Sequence, residues 1–183
     1  MSERKFIVIA ITSPDSYPDE AGRIENILGN GEADLVHIRK PLWNKEKTSE
    51  LLKAISEKFH HRLKLHDHFE LLEIFNLGGV HLNSRNQYAP LGVSSVSKSI
   101  HSLKEIEEWK DYDYMTLSPI FDSISKQGYK SSFDLTELKS LIEGKNLIAL
   151  GGVSPNKFNL LKYYGFKGAA LLGHFFPSKP LMI

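Results

Sequence analysis

The chain of 183 residues contains no cysteine, which excludes disulfides, zinc thiolate centres and iron–sulfur clusters and agrees with a reducing compartment. It also lacks an excess of charge of either sign. The 23 Lys and Arg against 22 Asp and Glu leave a formal charge of +1, so no electrostatic argument favours nucleic acid or an anionic membrane as partner. Long hydrophobic runs are missing too. The apolar stretch 6–11 is too short to cross a bilayer and residues 1–5 are too polar to open a signal peptide, which leads us to expect a cytoplasmic protein with no membrane partner. No internal repeat or low-complexity tract interrupts the chain. What is there is an ordinary globular composition, 41% hydrophobic and 25% charged, with no shift midway. One domain spanning 1–183 is expected, alone or as a homo-oligomer.

Short β-rich apolar runs alternate with helical patterns nearly from end to end, the signature of βα units around a parallel sheet. Eight runs are present, at 6–12, 35–39, 63–66, 79–82, 94–100, 114–117, 147–150 and 169–172, and seven are followed by something helical. Segment 46–60 places Leu51, Leu52, Ile55 and Phe59 on one helical face, Ser102-Leu-Lys-Glu105 reads as a capping box, and Ser154-Pro155 reads as N-cap and N1 of a helix stopped by Gly165. Eight parallel strands close into a barrel more readily than they form an open, doubly wound sheet, so the spacing predicts a (β/α)8 TIM barrel. Such barrels typically need about 200 residues or more, and the tail 175–183 is too short for a full eighth helix. We therefore expect a compact barrel whose eighth helix is short or missing.

In barrels of this kind the reactive groups stand where strands end and βα loops begin. The second run ends in His37 and Arg39, on one side of the strand by two-residue alternation, which suits an anionic or heteroaromatic ligand. The structural alternative is an Arg neutralised by a barrel carboxylate beside a hydrogen-bonded core His. The third run ends His66-Asp67-His68, a cluster that could bind a divalent metal or orient a base, or in which Asp67 or His68 caps the next helix. His81 sits alone in an apolar strand, where a satisfied core histidine is the simpler reading. Ser99 and His101 close the fifth run, and His101 takes a position where a general acid or base belongs. The loop after the sixth run carries Ser123, Ser125 and Lys126, donors able to wrap phosphate oxygens, although Ser-rich loops are often simply solvated. Gly151 and Gly152 follow the seventh run, and Leu172 and Gly173 end the eighth. Glycines at these two places match the common phosphate site of such barrels, where backbone N–H groups approach a phosphate with no Cβ in the way.

Taken in order, Val-His37-Ile-Arg39, His66-Asp67, Gly-Val-His81-Leu, Ser99-Ile-His101-Ser102, the run from Asp113 to Phe121, Ser123-Ile-Ser125-Lys126 and Ala149-Leu-Gly151-Gly152-Val resemble the thiamin phosphate synthase and TenI superfamily from the first strand to the eighth. The synthase branch joins hydroxymethylpyrimidine diphosphate to thiazole phosphate with Mg2+. Its pattern implies Arg39, a diphosphate-binding Ser99, and the hydroxyls and ammonium of Ser123, Ser125 and Lys126, with Ser where Thr is usual at 123 and 125. The family's Gln, second-strand Lys and Asn fall on His37, Pro41 and His66, with Lys40 next door. Of its two Mg2+ carboxylates one matches Asp67, which the resemblance makes the metal ligand, and the other falls on Asn86, beside Arg85. The TenI branch is similar in having His-Ile-Arg on strand two and Ser-Ile-His-Ser after strand five. It moves a proton within a thiazole carboxylate phosphate so that the ring becomes aromatic, and it implies His101 as the proton-transfer residue. Histidine can accept and donate near neutral pH without a metal.

Three readings follow from the resemblance. The first is a thiazole tautomerase, for which no cofactor is required, holding thiazole phosphate on Gly151, Gly152, Leu172 and Gly173. The second is a synthase with Mg2+ and pyrimidine diphosphate. The third is a non-catalytic barrel that binds a thiamin precursor and acts through a partner.

Overall fold

The computed structural model describes residues 5–122 and 133–177. Eight strands, β1 (Ile7–Ile11), β2 (Leu35–Ile38), β3 (Leu63–Leu65), β4 (Val80–Leu82), β5 (Val96–Ile100), β6 (Tyr114–Leu117), β7 (Leu147–Leu150) and β8 (Gly168–Leu171), each pair in parallel with the next. Strand β8 returns to β1 through Ile7 opposite Gly168 and closes the barrel. Every expected run overlaps one strand. Outward residues such as Val36, Ile38, Leu63, Leu65, Met115 and Leu117 are fully buried against the surrounding helices, which is why these strands carry apolar side chains on their outer face.

The lining of the barrel is divided. On β7, β8 and β1 the inward side chains are Ile148, Ala170, Ile9 and Ile11, one apolar cluster that Tyr114 also joins. On β2 to β6 the buried set is polar: His37, Lys64, His66, His81, Ser97 and Thr116.

Among the described residues four α-helices lie outside the strands: α1 (Glu20–Gly29), α2 (Lys45–Ala54), α3 (Leu135–Ile142) and α4 (Phe158–Tyr163). 3-10 segments at Phe69–Glu73 and Lys104–Asp111 stand in for the helices after β3 and β5, with two more at Glu57–Arg62 and Pro155–Lys157, and this economy is how a barrel fits in so few residues. Among the described residues six strands rather than seven are followed by a helical segment, because 83–95 after β4 is irregular and 172–176 after β8 is a turn. The expected helix over 46–60 is split at Ile55, which turns extended (φ −92°, ψ 132°) while Leu51, Leu52 and Ile55 stay buried. Ser154 and Pro155 do open the helical segment leading into α4, and Gly165 ends it at φ +95°.

Lys40 is nearly inaccessible at 1% exposure. Its Nζ donates to both Glu20 carboxylate oxygens, at 2.6 and 2.7 Å, and to the carbonyls of Ser13 (2.8 Å) and Asp15 (2.7 Å), fastening the β1–α1 loop to the end of β2. Burial pushes the Glu20 carboxyl up and the Lys40 ammonium down, in each case against the pull of the pair. Removing one partner strands the other in a dry site, so Lys40→Met is expected to lower the urea unfolding free energy by about 3 kcal/mol. A loss under about 1 kcal/mol would show that the ammonium adds nothing net to this joint.

Candidate active site

Alternation brings His37 (β2) and His81 (β4) to the barrel axis, with His66 at the end of β3 facing the same way. His37 joins its Nε2 to the Tyr114 hydroxyl at 2.6 Å and its Nδ1 to His66 Nε2 at 2.9 Å. His81 joins its Nδ1 to Ser97 Oγ at 2.9 Å and its Nε2 to Ser99 Oγ at 2.8 Å. Ser97 donates its one hydrogen to the Val80 carbonyl at 3.1 Å, so its oxygen accepts from His81 Nδ1 and leaves Nε2 as the acceptor of the Ser99 hydroxyl. Burial first, then repulsion from one another and from nearby cations, pushes all three imidazoles down, His81 to about 3. They are neutral rings at pH 7. Lys64 lies one layer nearer the N-terminal end and donates to Ser95 Oγ at 2.7 Å, and burial brings its ammonium down to about 8 despite Asp113.

At the rim Asp67 is already engaged. Both of its oxygens take hydrogen bonds from the Arg85 guanidinium, Nε and Nη2 at 3.0 Å each, and Asn86 Nδ2 adds a third at 3.0 Å. Arg39 stands close by: burial pulls its guanidinium down first, followed by the like charge of Arg85, while Asp67 opposes both. The Mg2+ that the resemblance implies does not fit these residues. A guanidinium occupies the carboxylate face that a hard cation would use, and the second donor is the amide of Asn86. Lys40, the neighbour of the displaced family Lys, is held in its buried ion pair with Glu20. Mg2+ is therefore expected to bind the free protein weakly in a calorimetric titration. Arg85→Ala should tighten it about 30-fold, since a single charge some 4 Å from a dication repels it by roughly 2 kcal/mol in water. Tight Mg2+ binding to the unaltered chain would overturn this.

His101 is exposed just past β5. Its Nδ1 lies 3.2 Å from both the carbonyl and the hydroxyl of Ser118, and its backbone N–H donates to Glu105 at 3.0 Å. The same Glu105 carboxylate takes the N–H and hydroxyl of Ser102, so the expected capping box is half formed: the glutamate reaches back, while the serine hydroxyl turns to the carboxylate. A cavity of about 520 Å3 opens beside His101 and Ser99, walled by Leu82, Gln87, Tyr88 and Tyr112, on the flank where β4 lacks a helix. His68 takes the N-cap position of the 69–73 turn but gives it no side-chain bond, and its Nε2 meets the Trp43 carbonyl at 2.7 Å.

Gly151 and Gly152 hold positive φ, +89° and +61°, and a Cβ would lie 2.8 Å from Pro119 Cα at the first and 2.4 Å from the Asp122 carbonyl oxygen at the second. The close approach of 119–122 demands glycine there whatever lies above it. Gly173 differs, for a Cβ there would meet nothing within 4 Å, and half-buried Leu172 packs on the apolar half of the lining. Lys157, which sequence reasoning passed over, donates to the Gly152 carbonyl at 2.8 Å and covers the Phe121 ring. Ser123, Ser125 and Lys126 lie outside the described residues. Tyr114, Ser97 and Ser118 are the other contributors not anticipated, and Arg85 enters as more than the neighbour of Asn86. The alternation Ser95, Ser97, Ser99 was the signal for one of them.

Fold and mouth together define a class: a closed parallel β/α barrel whose strand ends gather imidazole, guanidinium and hydroxyl groups around one opening. Within that class the chain belongs to the thiamine monophosphate synthase family, TMP-TENI, whose model matches residues 8–175. It is 29% identical over 180 residues (91% of this chain, 95% of the other) to the putative thiamine-phosphate synthase 2 of Aquifex aeolicus. It is 24% identical over 168 residues (82% and 78%) to the thiamine-phosphate synthase of Halalkalibacterium halodurans. Among solved structures, the thiamine phosphate pyrophosphorylase of Bacteroides thetaiotaomicron superposes with a TM-score of 0.80 at 35% identity, covering 92% of this chain and 83% of that one. The corresponding protein of Pyrococcus furiosus gives 0.73 at 17% identity over 96% and 90%, a likeness of fold. Among the described residues no helix is long and apolar enough to cross a membrane.

Proposed function

We propose that this chain is a thiazole tautomerase of thiamin biosynthesis, in which His101 moves a proton between two positions of a thiazole carboxylate phosphate held at the barrel mouth. The observation that carries the reading is the contrast between Asp67, whose carboxylate is closed by Arg85 and Asn86, and His101, which stands exposed beside Ser99 and an open cavity. With Nδ1–H held by the Ser118 carbonyl, the lone pair of Nε2 is the base. It takes the proton from the non-aromatic ring, and the imidazolium returns it where aromaticity is completed. Arg39, with Arg85 behind it, balances the substrate's carboxylate, and His37, His66 and Ser99 form the floor beneath the ring. Asp67 acts on Arg85 rather than on a metal, and no cofactor enters this reaction. The resemblance assigns Ser123, Ser125 and Lys126 a part in binding the same substrate.

The phosphate rests on Gly151, Gly152, Leu172 and Gly173, a placement supported by the open space over Gly173 and the helix opening at Ser154. Crystals grown with inorganic phosphate are expected to hold it there. Occupation of the opposite barrel end, with these glycines bare at saturating phosphate, would refute the placement.

The names of the relatives favour a second reading, thiamine-phosphate synthase with Mg2+ and pyrimidine diphosphate. Parallel assays separate the two: tautomerisation followed in the presence of a chelator, and thiamin phosphate formation from both substrates with Mg2+. Turnover in the first alone supports the tautomerase, turnover in the second alone replaces it with the synthase, and binding without turnover leaves a non-catalytic barrel.

A further inference from the structure

We propose that His37, His66 and His81 form a binding site for a borderline divalent transition-metal ion, of the Zn2+ or Co2+ class, in the floor of the mouth. The three ring centroids are 4.4, 4.7 and 5.0 Å apart, and one nitrogen from each ring lies within 4.8 Å of the others. Metal–nitrogen bonds of about 2.0–2.1 Å in a tetrahedral set put the nitrogens roughly 3.4 Å from one another. The His37 Nδ1 to His66 Nε2 pair, at 2.9 Å, has to open by about half an ångström, and the widest separation has to close by about 1.4 Å. Both changes require the three rings to turn, with His81 Nε2 giving up its bond to Ser99 in favour of the ion.

The outer hydrogen bonds are those a histidine ligand needs. His81 gives its Nδ1–H to Ser97, whose own hydrogen is committed to the Val80 carbonyl, so the Nε2 lone pair is the one turned toward Ser99. His37 has its Nε2 on the Tyr114 hydroxyl, leaving Nδ1 for the ion. Partners of this sort fix the tautomer and orientation of metal-bound imidazoles. His66 supplies Nε2 once its hydrogen moves to Nδ1, so the ion replaces the hydrogen now shared between His37 and His66 and no net proton is released. Three nitrogens without a carboxylate select a borderline ion over Mg2+ or Ca2+.

The charges around the site oppose a bare dication. Lys64 lies on one side, balanced by Asp113 at 3.7 Å, and Arg39 and Arg85 act on His66 from the rim. An anion in the open fourth position, the side of Ser99, offsets this, so metal and a small anion are expected to strengthen each other's binding. The site goes beyond the tautomerase reading and does not rest on it.

The test is a Co2+ titration of the full, metal-stripped chain, read by the visible bands of a tetrahedral nitrogen site, with azide added as the probe for the fourth position. One equivalent is expected, with bands that shift on azide. His66→Ala and His81→Gln should each weaken binding at least tenfold, Tyr114→Phe by about 10- to 100-fold through the outer bond, and exposed His61→Ala or His174→Ala not at all. His81→Gln keeps a polar amide at that place, and circular dichroism verifies that each variant is folded. No Co2+ or Zn2+ bound at millimolar concentration would overturn the proposal, as would binding untouched by His66→Ala and His81→Gln or abolished by His61→Ala or His174→Ala.

Discussion

A His101→Asn variant is expected to lose about 10²- to 10⁴-fold in thiazole tautomerisation, roughly 3–5 kcal/mol of barrier, with folding unchanged. The size follows from what the ring does in the proposed reaction: it is the only group asked both to take and to return the proton, and an amide can do neither. The fold survives because the contacts that hold this corner use the backbone. Glu105 accepts the N–H groups of residues 101 and 102 and the Ser102 hydroxyl, none of which the substitution removes. Asn can still donate to the Ser118 carbonyl, so the variant isolates proton transfer from packing. Substrate affinity should stay near wild type, because the proposed reaction has Arg39 and the glycine ends of β7 and β8 carry the anions. A variant that turns over at the full rate would end His101's part in the chemistry.

Acid is expected to weaken the barrel well before its carboxylates titrate. His37, His66 and His81 all have folded-state pKa values below their unfolded value of 6.5, chiefly through burial. The unfolded chain therefore binds more protons than the folded one between 6.5 and the depressed folded values, about 3 for His81, so stability is complete above 6.5 and falls as pH drops through that window. At pH 4.5, two units into it, His81 alone accounts for roughly 3 kcal/mol. Urea unfolding in the presence of a chelator should lose at least that much between pH 7.5 and 4.5. His81→Gln, with one imidazole fewer to charge, should flatten the profile even though it lowers stability at pH 7.5. A profile already flat in the unaltered protein would mean that the cluster takes up protons without opening.

The strands were legible because their outward residues are also buried, so apolar runs such as 147–150 stand out against the polar loops. The missing helix after β4 was legible in principle as well: Pro90 and Gly92 fall where a helix would run. The polar lining followed from period-two spacing, which placed His37 with Arg39 and could have placed Ser95, Ser97 and Ser99. Legibility ended where strands do. Past the last paired residue alternation no longer tells where a side chain points, so Lys40 could not be seen turning to Glu20 across 20 positions, nor Arg85 closing on Asp67 across 18. The His101–Ser118 contact was hidden for the same reason, since it joins the ends of neighbouring strands.

The two halves of the lining differ in how much they know about alignment. Isoleucines and alanines on β7, β8 and β1 would pack nearly as well if one strand slid against the next by two residues, for greasy surfaces are tolerant of translation. The half from β2 to β6 is not tolerant. With β3 and β4 only three residues long, a slide of that size would part His81 from Ser97 and His37 from Tyr114, leaving buried nitrogens without partners. The histidines thus act as the index marks of the barrel, setting which of several near-equivalent closures the chain adopts, while the aliphatic half supplies the cohesion that any of those closures would share.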